Sequence, residues 1–203
     1  SNVPFGDEII TGDPKYLGER LRIHDYFLSK MIDEVRPGGL VVAITSKGTM
    51  DKENERVRSK LADKAHLVTA LRLPETTFSA AGTRVISDLL IFRKKDPERT
   101  HAEERKDTFA AVDWESVLYL PAAGENINKY FYHNRAQVLG EFSTRSGPYG
   151  REQSVIAPEG QNLKEAITER LSSLPAAVYM PRGEPLPIPI QDQRKERASM
   201  GFY

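Results

Sequence analysis

Four residues at the start of the chain, Asn2, Val3, Pro4 and Phe5, combine groups that can hold a flat amine. The Asn2 carboxamide oxygen accepts one hydrogen bond, and the Val3 backbone carbonyl accepts a second. Pro4 fixes its own φ and biases Val3 away from the helical region, which turns that carbonyl outward. Phe5 adds a flat apolar face. Two acceptors beside a stacking ring suit the exocyclic NH₂ of a nucleobase taken out of its stack. They would raise the electron density on that nitrogen as it attacks an electrophilic methyl group, and would stabilise the positive charge that develops there. A bare Asn-x-Pro-Phe is common, and the plain alternative is an ordinary turn into Gly6-Asp7.

Other chemistries find little support. The chain of 203 residues has no cysteine, which excludes disulfides, cysteine-ligated zinc and cysteine nucleophiles. It contains no G-x-x-x-x-G-K-[ST], no H-E-x-x-H and no G-x-S-x-G. Lys+Arg and Asp+Glu are both 29, so bulk charge holds it to neither DNA nor membrane, and any nucleic-acid contact must come from a local patch. No apolar run approaches the roughly 18 residues of a membrane span, so the expectation is a cytoplasmic chain without a membrane partner.

The first 95 residues supply the elements to position these groups. Asp13-Pro14 offers an N-cap and a first-turn proline, and Leu17, Leu21, His24, Leu28, Met31 and Val35 form one stripe, which predicts a helix stopped by Pro37-Gly38-Gly39. On that stripe His24 reads as a packing histidine. Leu40 to Ile44 is a short apolar run, expected as a strand covered on both faces. A charged helix over Lys52 to Lys64 follows, with Asp51 as its N-cap, then strands over His66 to Leu73 and Val85 to Phe92 with a loop over Pro74 to Thr83 between them. This alternation predicts an α/β sheet with crossover helices. Lys47 lies just past the end of the first strand, where ligands collect in open α/β sheets, and suits either a phosphate contact or a solvated loop.

Later segments are shorter. Lys94 to Lys106 is almost wholly polar. Phe109 to Val112 and Val117 to Leu120 read as strands, and Asn126 to Leu139 as a helix ending at Gly140. Phe142 to Ile156, broken at Gly147-Pro148 and Gly150, suits a hairpin or a loop, and Asn162 to Leu174 a capped helix with Leu163, Ile167 and Leu171 on one face. Of Tyr130, Phe131 and Tyr132, at least one should be exposed. The tail from Pro175, with its basic cluster at 194–197, reads as extended.

Taken in order, these residues resemble the amino-type DNA methyltransferases, whose hallmark is Asn/Asp-Pro-Pro-Tyr/Phe. The series runs through Ile23-His24-Asp25-Tyr26-Phe27, Arg36-Pro37-Gly38-Gly39, Thr45 to Asp51, Ala70 to Pro74, Phe78, Ala81-Gly82-Thr83 and Ser87 to Phe92. It looks like the adenine-N6 branch found in large methylase or methylase–helicase proteins of phages, plasmids and conjugative elements. Residues 127–150 are similar to the segment that succeeds the methylase core in those proteins. Val3 stands where the hallmark has proline; its carbonyl survives the change, but the turn is less rigid.

The resemblance implies the second half only of a partial Rossmann-like (class I S-adenosylmethionine methyltransferase) sheet over 1–95. A polar linker over 96–107, a smaller α+β extension over 108–174 and an extended Pro-rich tail over 175–203 would come after it. It assigns Asn2, Val3, Pro4 and Phe5 to the catalytic site; Lys47, and Arg72 and Thr83 flanking the loop that would face DNA, are candidates for DNA contact, with plain surface placement as the default for the last two. S-adenosylmethionine is the implied cofactor, but its glycine-rich strand–turn–helix does not precede Asn2, so this chain alone is expected to bind it poorly. Implied partners are DNA and the missing half, or a helicase or restriction-modification subunit. Two other readings stay open: an incomplete module that only binds DNA or a partner, and a protein glutamine-N5 methyltransferase.

Overall fold

Three apolar segments build the main sheet of the computed structural model, which describes residues 1–107, 109, 112–121, 123–147, 150–175 and 178–180. They are β1 (Leu40–Ser46), β2 (Ala65–Leu73) and β3 (Ser87–Lys94), in the order β1-β3-β2. β3 is antiparallel to both neighbours, so β1 and β2 run parallel. Helix α1 (Ile23–Glu34) precedes β1, and α2 (Gly48–Asp51) and α3 (Arg56–Lys64) connect β1 to β2. The expected helix–strand alternation therefore holds up to β2. The link from β2 to β3 is the expected loop and carries only a 3₁₀ turn, Ser79–Ala81, so β3 returns antiparallel without a crossover helix. The result is a mixed α/β fold with small antiparallel sheets.

Both faces of the sheet are covered. On one, Leu28 and Ile32 of α1 and Val57 and Leu61 of α3 join a cluster with Ala43, Leu67, Leu90 and Phe92. Trp114, Ile127, Tyr130 and Phe131 belong to the same cluster, so the later segment shares this core. On the other face, α6 (Leu163–Ser172) packs Leu163, Ile167 and Leu171 against Leu71 and Leu73. Every residue of β2 is buried. The cover does not extend over all of β1, where Val42 is 44% exposed, so the expectation of two covered faces is corrected there.

Other expectations are corrected locally. The first helix starts at Ile23, ten residues after Asp13. Leu21 is buried, but its carbonyl accepts from Ile10 N–H in an extended pairing, and Arg20 takes a left-handed φ of 50° that interrupts any helix. Asp51 ends α2 and caps nothing; α3 begins at Arg56 without a side-chain cap. The segment expected as one helix over 126–139 splits. β5 (Glu125–Asn128) pairs with β4 (Val117–Leu120), and Asn128 then caps the five-residue α5 (Lys129–His133) by accepting from Tyr130 N–H. Tyr130 and Phe131 are buried, whereas Tyr132 is exposed. Gly140 stops no helix. A Cβ there would lie 2.6 Å from the Ile156 carbonyl oxygen, so glycine lets β6 (Glu141–Gly147) start close against the end of β7 (Gly150–Ile156). Phe109 and Val112 fall in no strand.

The polar segment after β3 carries the one-turn α4 (His101–Glu104). Asp107 pairs with Arg93 and, at 2.7 Å, with Arg99, and the Arg93 guanidinium sits over the Phe109 ring. Of the expected tail, Pro175 and 178–180 are described, with Val178 buried beside Val68 and Ile91; the rest, including the 194–197 cluster, lies outside the described residues. No helix among the described residues is long and apolar enough to cross a membrane.

Asp33 ties the N-terminal segment to two helices. It accepts from Tyr16 Oη at 2.7 Å and Lys64 Nζ at 2.8 Å, and pairs with Lys15 at 3.0 Å. Burial works to raise its pKa, but Lys64, Tyr16 and Lys15 outweigh that and hold the carboxyl at about 2. A carboxyl depressed in the folded state stabilises above its unfolded value and stops doing so as pH falls through the folded one. Asp33→Asn is therefore expected to lose about 1–2 kcal/mol at pH 7, allowing for the exposed lysines. The difference from the parent should shrink between about pH 4 and pH 2, as read from urea midpoints.

Candidate active site

Residues 1–3 extend the sheet beyond the edge of β1. Ile44 N–H donates to the Ser1 carbonyl at 2.8 Å, and Val3 N–H donates to the Ile44 carbonyl at 3.0 Å, a parallel bridge. Side chains alternate across an extended strand. The Val3 side chain is buried in the core at 3% exposure, while Asn2 and Pro4 are exposed. The anchor at Val3 thus fixes a short segment whose neighbours face solvent. Among the described residues, the Asn2 side chain makes no hydrogen bond and the Val3 carbonyl accepts none.

Asn2, Val3, Pro4 and Phe5 line one open cleft of about 310 Å³ together with Phe78, Ala81, Thr83 and Val85. Phe5 is 39% exposed and Phe78 half-buried. Phe78, Ala81, Thr83 and Val85 belong to the β2–β3 loop. Thr77 N–H and Oγ1 both donate to the Pro74 carbonyl, and the 3₁₀ turn ends at Gly82, whose φ of 77° favours glycine. At the base of the loop, Val85 N–H donates to the Glu75 carbonyl and Glu75 N–H donates to the Val155 carbonyl, which ties the loop to β7. Phe78 is the residue whose role the sequence did not disclose. An aromatic in a loop bounded by proline and glycine was the available signal.

Thr83 is exposed in this cleft, and Lys47 is half-buried elsewhere. Lys47 Nζ donates to Glu125 at 2.5 Å, so its charge already has a carboxylate partner. It lines a second cleft of about 480 Å³ with Arg22, His24 and Lys52. There Arg22 pairs with Asp7 at 2.7 Å and Lys52 with Asp25 at 3.5 Å, which leaves these cations balanced. His24 is buried, as its place on the stripe suggested, with Nε2 3.4 Å from Asp25.

Arg72 is corrected. Expected beside DNA, it is fully buried in β2. Its Nε and Nη2 donate to the two oxygens of Asp88 at 2.9 Å each, Nη1 lies 2.7 Å from Asp51, and the guanidinium stacks 4.2 Å from the Phe131 ring centroid. Asp51 also accepts from Asn128 N–H at 2.9 Å, and the Asn128 amide donates to the Met50 and Trp114 carbonyls. This hub joins sheet, α2 and β5. No group of three or more metal-ligating side chains occurs among the described residues.

Three comparisons bear on this arrangement. A family model described as N-6 DNA Methylase matches residues 1–136. Defense against restriction protein B of Escherichia phage P1 is 35% identical over 99 residues, 48% of this chain and 4% of that protein. The chain therefore spans a small part of that relative's length. Among solved structures, a chain from the type I R-M system is similar at 23% identity with a TM-score of 0.39, covering 47% of this chain and 20% of that one.

Proposed function

The chain belongs to the N-6 DNA methylase family, and from this we propose that the Asn2–Phe5 cleft receives an adenine turned out of DNA for methylation at N6. One observation carries the proposal: the four residues line a single open cleft, and Asn2 and the Val3 carbonyl have acceptors free of described partners. The amino group would donate to both acceptors. As the nitrogen gains a methyl group it gains positive charge, and two fixed oxygen dipoles stabilise that charge without having to reorganise. Phe5 and Phe78, which both line the cleft, offer faces on which the base can stack.

The sheet supports the same reading. The leading residues pair parallel to β1, and β3 inserts antiparallel between β1 and β2, an arrangement compatible with the second half of a Rossmann-like sheet. Members of the family generally use S-adenosylmethionine, which supplies the methyl group when bound. The described residues do not fit that cofactor. The strand-to-helix turn Ser46-Lys47-Gly48 opens only the four-residue α2, and its lysine is paired with Glu125. The glycines with positive φ, Gly38, Gly82, Gly124 and Gly160, lie at other turns. On this proposal the cofactor sits on another part of the methylase fold.

The test supplies the full-length protein with labelled S-adenosylmethionine and offers DNA and protein acceptors side by side. The expected result is label in DNA, recovered as N6-methyladenine after digestion to nucleosides. Label confined to protein, or to cytosine, overturns the assignment.

A further inference from the structure

None of the eight residues lining the 310 Å³ cleft is charged, yet a base entering it brings its own phosphates to the rim. The charged residue between two of the lining residues is Arg84, flanked by Thr83 and Val85, with its side chain 63% exposed. Its Nη2 lies 3.4 Å from Oε1 of Glu75. Glu75 is buried at 7% exposure, and its other oxygen accepts from Ser154 Oγ at 2.8 Å and faces Arg145 at 3.2 Å. Arg145 is held further by Glu152 at 3.4 Å across the β6–β7 hairpin. The two arginines are therefore employed differently. Arg145 is shared by two carboxylates, whereas Arg84 makes no side-chain hydrogen bond among the described residues. The buried carboxylate lies against one end of the Arg84 guanidinium, at Nη2, and its other N–H donors have no described partner. A guanidinium in that condition suits a phosphodiester, which it can engage with two parallel hydrogen bonds.

We propose that Arg84 grips a backbone phosphate of the DNA strand whose base enters the cleft, with buried Glu75 as the residue that aims it. This inference rests on the proposed function, since it needs DNA at the cleft.

The experiment measures binding of the full-length protein to duplex DNA over a series of salt concentrations. For Arg84→Gln the slope of log K against log salt is expected to become shallower by roughly 0.9, the loss of one phosphate contact, with affinity reduced on all sequences alike. Arg84→Lys is expected to keep the slope. Thermal midpoints of both variants should stay close to the parent, because the Arg84 side chain is exposed and Glu75 keeps Ser154 and Arg145 as partners. If the parent binds DNA and Arg84→Gln binds with unchanged slope and affinity, the phosphate contact is wrong and the cleft assignment stands. If the parent binds no DNA at all, both fail together.

Discussion

Asn2→Ala is expected to reduce methyl transfer to adenine by about 10²–10³-fold in the full-length protein, the scale seen when one preorganised polar partner of a developing charge is removed. The loss should fall on kcat more than on KM, because the carboxamide meets its largest charge in the transition state. Folding should be untouched. The Asn2 side chain is exposed and has no described hydrogen-bond partner, while the segment is anchored by Val3 and two backbone hydrogen bonds to Ile44. Asn2→Asp supplies the discriminating control. It keeps an oxygen acceptor at the same place and exchanges the NH₂ for a second, negatively charged oxygen that also favours the developing positive charge, so it is expected to retain much of the activity that alanine loses. Initial rates with N6-methyladenine as the product measure both variants, alongside their thermal midpoints. Full activity in Asn2→Ala would remove Asn2 from the reaction, and a midpoint that falls with the rate would mean that the residue only holds the fold.

That expectation could be framed from sequence because the chemistry of Asn2 to Phe5 is local. The oxygen, the carbonyl and the ring lie within four residues, and only the open cleft had to be supplied by the fold. The strands β1, β2 and β3 were legible for a similar reason: short apolar runs bounded by turns specify a buried strand whatever surrounds them. Asn162 at the start of α6 was legible as a cap, and its side chain does accept from Lys164 and Glu165 N–H. What failed depended on partners distant in sequence. Residues 126–139 have a helix-compatible pattern, but Ile127 is claimed by Leu118 across a strand pair and Asn128 restarts the chain as a cap. Leu21 sits on the α1 stripe and is buried by an extended pairing with Ile10. The loop from Pro74 to Thr83 was legible, but the antiparallel return of β3 through it rests on pairing with β1, some forty residues away in sequence. Arg72 carried a readable warning. A lone cation in His66 to Leu73 and a lone anion in Val85 to Phe92, each inside an otherwise apolar strand, point to a buried pair more than to a surface.

That pair carries the largest expected effect on stability. Arg72→Met is expected to cost about 3–5 kcal/mol, because it strands two carboxylates, Asp88 and Asp51, in the interior. Burial opposes the Arg72 charge, but Asp51 and Asp88 outweigh it and raise the guanidinium pKa further. Burial likewise pushes the Asp88 carboxyl up, and Arg72 is the chief influence holding it down. With Arg72 gone, the raised carboxyl takes up a proton more readily folded than unfolded. Protonation then favours the folded state, so the variant's deficit should narrow as pH falls and widen as pH rises. Urea unfolding at several pH values reads this directly, and a loss under about 1 kcal/mol with no pH dependence would show that the hub is neither buried nor paired as described. A rescue separates charge from packing. Asp51→Asn keeps an acceptor for Asn128 N–H, and Asp88→Leu replaces the second carboxylate with apolar bulk. Added to Arg72→Met, the two changes remove every stranded charge, and replacing a buried ion triad by well-packed apolar groups is often neutral or stabilising. Recovery of most of the lost stability would locate the cost in the unpaired carboxylates, whereas no recovery would locate it in the stacking of the Arg72 guanidinium on Phe131.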